Sequence, residues 1–177
     1  MSLPNWISFG RVLLVPVFLL FSYSDGDAAA VAAFVVFFVA SVSDYVDGYL
    51  ARRNGTITPL GQFLDPLADK LLVGAALFVL VDTREFPLWA ALVIGGREVV
   101  VQILRIAVVR AGGSMPASSA AKAKTALQIA MVSVWLLPLE VTFFHQLLVA
   151  AALATTLWSG FEYFIRVKVH PPKEAVG

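Results

Sequence analysis

Asp44-Tyr45-Val46-Asp47-Gly48-Tyr49-Leu50-Ala51-Arg52 is followed, after a gap of eight residues, by Gly61-Gln62-Phe63-Leu64-Asp65-Pro66-Leu67-Ala68-Asp69. These stretches gather four carboxylates in a chain that is 59% hydrophobic. In a bilayer-like medium a carboxylate persists only if it is paired, bound to a metal or open to water. That cost singles out Asp44, Asp47, Asp65 and Asp69 as the positions expected to carry function.

The rest of the chain supports the bilayer reading. It has 177 residues, of which 14% are charged, against about 25% in a soluble domain. Its mean hydropathy is +0.84. It has no cysteine, so disulfides and thiolate metal sites are excluded. The first basic residue, Arg11, lies inside the first apolar run, which is therefore expected to remain as a transmembrane helix rather than a cleaved signal. With no internal repeat and no soluble segment, residues 1–177 are expected to form a single all-α integral membrane domain.

Working outward from the acids, six segments are long enough to span a bilayer, which takes roughly 20 apolar residues. They cover about residues 5–23, 28–53, 60–81, 87–111, 118–139 and 142–167. Asp25-Gly26-Asp27, Asn54-Gly55-Thr56, Asp82–Glu85, Gly112–Pro116 and the stretch around Pro138 and Glu140 separate them, and Pro171-Pro172 ends the last. If the N-terminus is cytoplasmic, Arg52, Arg53, Arg110, Lys122, Lys124, Arg166, Lys168 and Lys173 all fall at cytoplasmic ends. Asp25, Asp27, Asp82, Glu85 and Glu140 then fall outside with Arg84 alone. This satisfies the positive-inside rule with both termini cytoplasmic. Trp89, Trp135 and Trp158 sit near helix ends as interfacial anchors. His145 and His170 are assigned no ligand role.

Helical spacing puts the acids on stripes. Taking Asp44 as origin, Asp47 lies at about 300°, Gly48 at about 40° and Ala51 at about 340°. Asp65 and Asp69 are one turn apart on the next helix, with Gly61 a turn before. The short connection makes the two helices antiparallel neighbours, with the carboxylates toward the cytoplasmic end. Four carboxylates sharing one pocket need protons or cations. Two divalent ions would balance them, and all-oxygen donors suit Mg²⁺, Mn²⁺ or Ca²⁺. Metal pairs of this kind clamp phosphoryl groups, and Arg52 is placed to hold a further phosphate oxygen.

The pattern D-x2-D-G-x2-A-R-x8-G-x3-D-x3-D, complete from Asp44 to Asp69, resembles the signature of the CDP-alcohol phosphatidyltransferases. The resemblance implies transfer of a phosphatidyl group from CDP-diacylglycerol to an alcohol, with release of CMP. It implies a membrane homodimer using Mg²⁺ or Mn²⁺, with two ions held by Asp44, Asp47, Asp65 and Asp69. Asp69 matches the general base, and Gly48, Ala51, Arg52 and Gly61 match positions lining the CDP site.

The acceptor is addressed by later residues. Arg97 and Arg105, with Glu98 and Gln102, lie in the fourth segment, and Lys122 and Lys124 open the fifth. An arginine deep in an apolar helix needs a polar site. Arg97, Arg105, Lys122 and Lys124 could form a second anion pocket, since both residue types bind phosphate. Two alternatives stay open: the lysines as positive-inside anchors, and Arg97 as half of a buried pair with Glu98 or a metal-site aspartate. Leu3-Pro4-Asn5-Trp6-Ile7-Ser8-Phe9-Gly10-Arg11, Gly96-Arg97-Glu98 and Ala121-Lys122-Ala123-Lys124-Thr125 resemble the branch of the family whose acceptor is glycerol 3-phosphate, with Gly96 where alanine is expected. That resemblance implies Asn5 at the CDP site and Arg97, Arg105, Lys122 and Lys124 around the glycerol 3-phosphate.

The expected reaction is in-line attack by the 1-hydroxyl of glycerol 3-phosphate on the β-phosphorus of CDP-diacylglycerol, giving phosphatidylglycerophosphate and CMP. The expected location is a bacterial cytoplasmic membrane, with the site facing the cytoplasm, membrane lipids as surroundings and no nucleic-acid partner. Phosphatidylglycerol as acceptor, giving cardiolipin, is the rival within the family. An ion transporter built on intramembrane carboxylates is the rival outside it.

Overall fold

The structure is a computed structural model. It describes residues 3–54, 59–111, 119–139 and 141–166, with side chains over 9–43, 68–111, 120–139 and 141–165. The described residues form six helices and no strand: α1 (Leu3–Ser22), α2 (Asp27–Asn54), α3 (Pro59–Thr83), α4 (Leu88–Arg110), α5 (Ser119–Leu136) and α6 (Thr142–Arg166). Each overlaps one of the six expected segments.

The breaks have local causes. Between α1 and α2 the chain turns through Gly26 at φ 92°, a left-handed conformation that costs glycine nothing. Asp27 then opens α2, where a negative charge meets the positive end of the helix dipole. Proline begins α3 at Pro59 and caps α4 at Pro87, positions where its missing N–H is no loss. The carbonyl of Pro87 accepts from the N–H groups of Ala90 and Ala91 at 2.9 and 3.2 Å. α5 stops at Leu136 rather than near residue 139, because Pro138 disfavours helical backbone at Leu137. Pro16 sits inside α1 without ending it, as prolines do in membrane helices whose neighbours shield the backbone.

Contacts between helices fix an up-and-down arrangement. Phe18 of α1 meets Phe37 of α2 at 6.0 Å between ring centroids, and Gly10 and Leu14 share a cleft with Ala40 and Ser43, so α1 and α2 are antiparallel. The Tyr23 hydroxyl, just beyond α1, donates to Asp82 near the end of α3 at 2.8 Å, so α1 and α3 run the same way. Trp135 Nε1 donates to the Arg84 carbonyl at 3.1 Å and thereby brings the end of α5 to the end of α3. Trp135 also stacks on His145 at the start of α6, with centroids 4.5 Å apart. α3 touches α1, α2, α4 and α5 and buries Ala68, Leu72, Ala76, Val79 and Leu80. Alanines at the helix contacts, among them Ala33, Ala40, Ala76, Ala90 and Ala152, let the backbones approach closely.

The outside of the bundle is apolar. Phe78, Leu92, Ile103, Leu157, Trp158, Phe161 and Phe164 are all more than half exposed. Soluble monomers rarely leave an apolar surface of this extent. By length and composition, one helix among the described residues, Thr142–Ile165, is able to cross a membrane on its own, and Phe9–Ser22 and Asp27–Ser43 are shorter apolar stretches.

Candidate active site

The acid-bearing ends of α2 and α3 lie at the end of the bundle opposite the Tyr23–Asp82 and Trp135–Arg84 contacts. α2 packs on both α1 and α3. A cleft of about 260 Å³ between α1 and α2 is lined by Gly10, Arg11, Leu14, Ala40 and Ser43. Asp44 and Asp47 follow Ala40 and Ser43 by one helical turn and so continue the same stripe. Arg11 is 2% exposed within this cleft. A guanidinium so deep in an apolar helix pair is sustained by polar or anionic surroundings.

A second polar cluster joins α4, α5 and α6. Lys124 of α5 is buried and donates to the Glu98 carboxylate of α4. Arg97 Nη1 lies 3.5 Å from the same carboxylate. Arg97 Nη2 donates to Ser159 Oγ of α6 at 2.8 Å, and the guanidinium carbon sits 5.6 Å from the centre of the Tyr163 ring. Arg105, two turns along α4, donates through Nη2 to the Tyr163 hydroxyl at 3.0 Å. Tyr163 thus orients two arginines at once, one by its face and one by its oxygen. Gly160 lies against Arg97, where an added Cβ would meet the side chain at 3.6 Å. The Nε atoms of Arg97 and Arg105 are buried with no partner among the described residues.

Asp69 connects the two regions. It is half-buried on α3, and its charge acts on Lys124. One carboxylate of the acidic motif is therefore within electrostatic reach of the cationic cluster.

Of the residues expected at the acceptor, Arg97, Arg105 and Lys124 come together, whereas Lys122 is exposed and makes no polar contact with them. The Arg97–Glu98 pair that the sequence left open is present within the cluster, not in place of it. The side chains of Asn5, Asp44, Asp47, Gly48, Ala51, Arg52, Gly61 and Asp65 lie outside the described residues. Sequence reasoning missed Arg11, Ser159 and Tyr163. All three carried a signal: a charge inside an apolar run for Arg11, and two polar residues one turn apart in an apolar helix for the others.

The sequence model of the CDP-alcohol phosphatidyltransferases matches residues 1–158. This chain belongs to the CDP-alcohol phosphatidyltransferase family. Among its relatives is the CDP-diacylglycerol–glycerol-3-phosphate 3-phosphatidyltransferase of Bacillus subtilis (strain 168), 40% identical over 180 residues that cover 92% of this chain and 93% of that protein. The enzyme of that name from Pseudomonas fluorescens is 42% identical over 175 residues, covering 92% and 88%. A probable phosphatidylglycerophosphate synthase of Mycobacterium tuberculosis (strain ATCC 25618 / H37Rv) is 39% identical over 170 residues, covering 93% and 81%. In this CDP-alcohol phosphatidyltransferase the matched region holds the whole acidic motif, Arg97, Arg105 and Lys124, and it ends just before Ser159 and Tyr163. The family is membrane-associated and uses divalent metal ions, which agrees with the apolar exterior and with the all-oxygen donors of the acidic motif.

Proposed function

We propose that this chain transfers the phosphatidyl group of CDP-diacylglycerol to glycerol 3-phosphate, giving phosphatidylglycerophosphate and CMP. The observation that carries the reading is the cluster of buried Lys124 with half-buried Arg97 and Arg105, on whose lysine the charge of Asp69 acts. A neutral alcohol would need no such set of cations, whereas a phosphorylated acceptor does. The names of the relatives point the same way.

In this reading all six helices span the membrane as one domain, with both termini and the site at the cytoplasmic face of a bacterial cytoplasmic membrane, and the chain works as a homodimer. The donor pyrophosphate lies at the acidic stripes of α2 and α3, with Asn5, Gly48, Ala51, Arg52 and Gly61 around the CDP moiety. Asp44, Asp47, Asp65 and Asp69 would hold two divalent cations, Mg²⁺ or Mn²⁺, and their donor chemistry fits hard ions. When bound, these ions neutralise charge that builds on the pyrophosphate oxygens. Arg97, Arg105 and Lys124 hold the acceptor phosphate, so that the 1-hydroxyl points toward Asp69, while Lys122 stays outside the cluster. Asp69 takes the hydroxyl proton as the oxygen forms its bond to the β-phosphorus. The bond from that phosphorus to the bridging oxygen breaks, and CMP leaves with the electron pair.

Purified chain, CDP-diacylglycerol and a panel of acceptors test this reading through the identity of the lipid product. Phosphatidylglycerophosphate formed from glycerol 3-phosphate supports it. Cardiolipin formed from phosphatidylglycerol, with no product from glycerol 3-phosphate, overturns it.

A further inference from the structure

Glu98 is the one carboxylate among the described residues that contacts two of the cluster's three cations. It accepts from Lys124, and Arg97 Nη1 lies 3.5 Å from the same oxygen. Its side chain is 17% exposed, while that of Lys124 is 5% exposed. A carboxylate in a pocket meant for phosphate looks counterproductive, since it repels the ligand. Its place is explained by what Lys124 would do without it. A buried ammonium must find a counter-charge, and Asp69 is the other carboxylate whose charge acts on Lys124. With Glu98 removed, the flexible lysine turns to Asp69 and ties up the group that faces the acceptor hydroxyl. With Glu98 present, Lys124 is held on the α4 side beside Arg97. Three cations against one carboxylate still leave the pocket two positive charges in excess, enough to attract a phosphomonoester, whose charge is about −1.5 to −2.

We propose that Glu98 is a positioning residue for the acceptor: it anchors Lys124 beside Arg97 and keeps that lysine off Asp69. This rests on the reading of Arg97, Arg105 and Lys124 as the acceptor pocket. Ser159 and Tyr163 hold the two arginines from α6, so Glu98 completes a frame in which each of the three cations is oriented by a neighbour before acceptor arrives. Such preorganisation lowers the cost of binding.

The test is steady-state kinetics on the purified full-length chain, comparing E98Q, E98D, K124A and the double variant E98Q/K124A. E98Q keeps the shape of the side chain and removes its charge. It is expected to raise the KM for glycerol 3-phosphate by about tenfold or more, the size of one charge-assisted contact, while the KM for CDP-diacylglycerol changes less than about twofold. E98D is expected to recover part of the loss. In the K124A background E98Q is expected to add nothing, because Glu98 acts through the lysine. Independent, multiplying effects of the two substitutions, or equal changes in both KM values, would overturn the proposal. If K124A itself left the acceptor KM unchanged, the acceptor-pocket reading would fall instead. A normal K124A effect beside an inert E98Q would sink the role of Glu98 alone. Should E98Q fold poorly, E98D alone and E98D/K124A against K124A carry the comparison.

Discussion

In the proposed reading the chemistry turns on Asp69 and Lys124, and the charge of the first acts on the second. Asp69→Asn keeps the size of the side chain but cannot accept the hydroxyl proton. It is expected to lower kcat by at least about 10²-fold, the usual worth of a general base, while CDP-diacylglycerol still protects the chain against thermal unfolding. Near-normal kcat in this variant would remove Asp69 from the role. Lys124→Ala is expected to raise the acceptor KM far more than the donor KM, and equal changes would reduce the lysine to a membrane anchor. Much of this scale was legible in the sequence, because charge in an apolar helix is conspicuous: the four aspartates, Arg97, Arg105 and Lys124 all stand out. What stayed hidden is pairing across the fold. Arg97 meets Ser159 and Arg105 meets Tyr163 from α6, contacts set by how α4 lies along α6, which spacing within one helix does not specify. Lys122 shows the complementary limit. It shares its motif with Lys124, but a two-residue step turns a helix by about 200° and leaves it on the outside.

At the scale of helices, segment existence followed from hydropathy and the breaks from Gly, Pro and Asp, so six elements were readable. Their ends depended on single residues such as Pro138, and their neighbours on small side chains. Ala76 is fully buried on α3 at the centre of the bundle. Ala76→Leu is expected to destabilise the fold by about 1–3 kcal/mol through overpacking, seen as a lower unfolding temperature in detergent, and an unchanged temperature would place α3 at the rim. The Tyr23–Asp82 hydrogen bond ties α1 to α3 at the other end. That bond, together with the nearby negative charge, pushes the Tyr23 phenol above its ordinary value. A group whose titration is raised by folding stabilises the fold at lower pH and loses that contribution as pH climbs through the raised value. The Tyr23→Phe variant is therefore expected to be slightly less stable than the parent at neutral pH, with the difference closing at strongly alkaline pH. A difference independent of pH would assign the effect to packing.

At the scale of the molecule, the apolar exterior and the membrane association of the family support the proposed reading of a bundle set in lipid with its chemistry at one face. The distribution of basic residues sets the expected orientation, and the helix contacts put the acidic motif, Lys124 and Arg105 toward the same end. The chain has no cysteine, so single substitutions report sidedness cleanly. Ser24→Cys is expected to react with a membrane-impermeant maleimide in intact cells, and Arg110→Cys only after permeabilisation. The reverse pattern would invert the topology. The central claim, that this chain couples a nucleotide-linked lipid to a phosphorylated alcohol at its aspartates, is tested most directly by CMP release from CDP-diacylglycerol. The account predicts one CMP per phosphatidylglycerophosphate, only with both glycerol 3-phosphate and a divalent cation present, and almost none from Asp69→Asn. CMP release that persists without glycerol 3-phosphate, or that survives both chelation and Asp69→Asn, would contradict it.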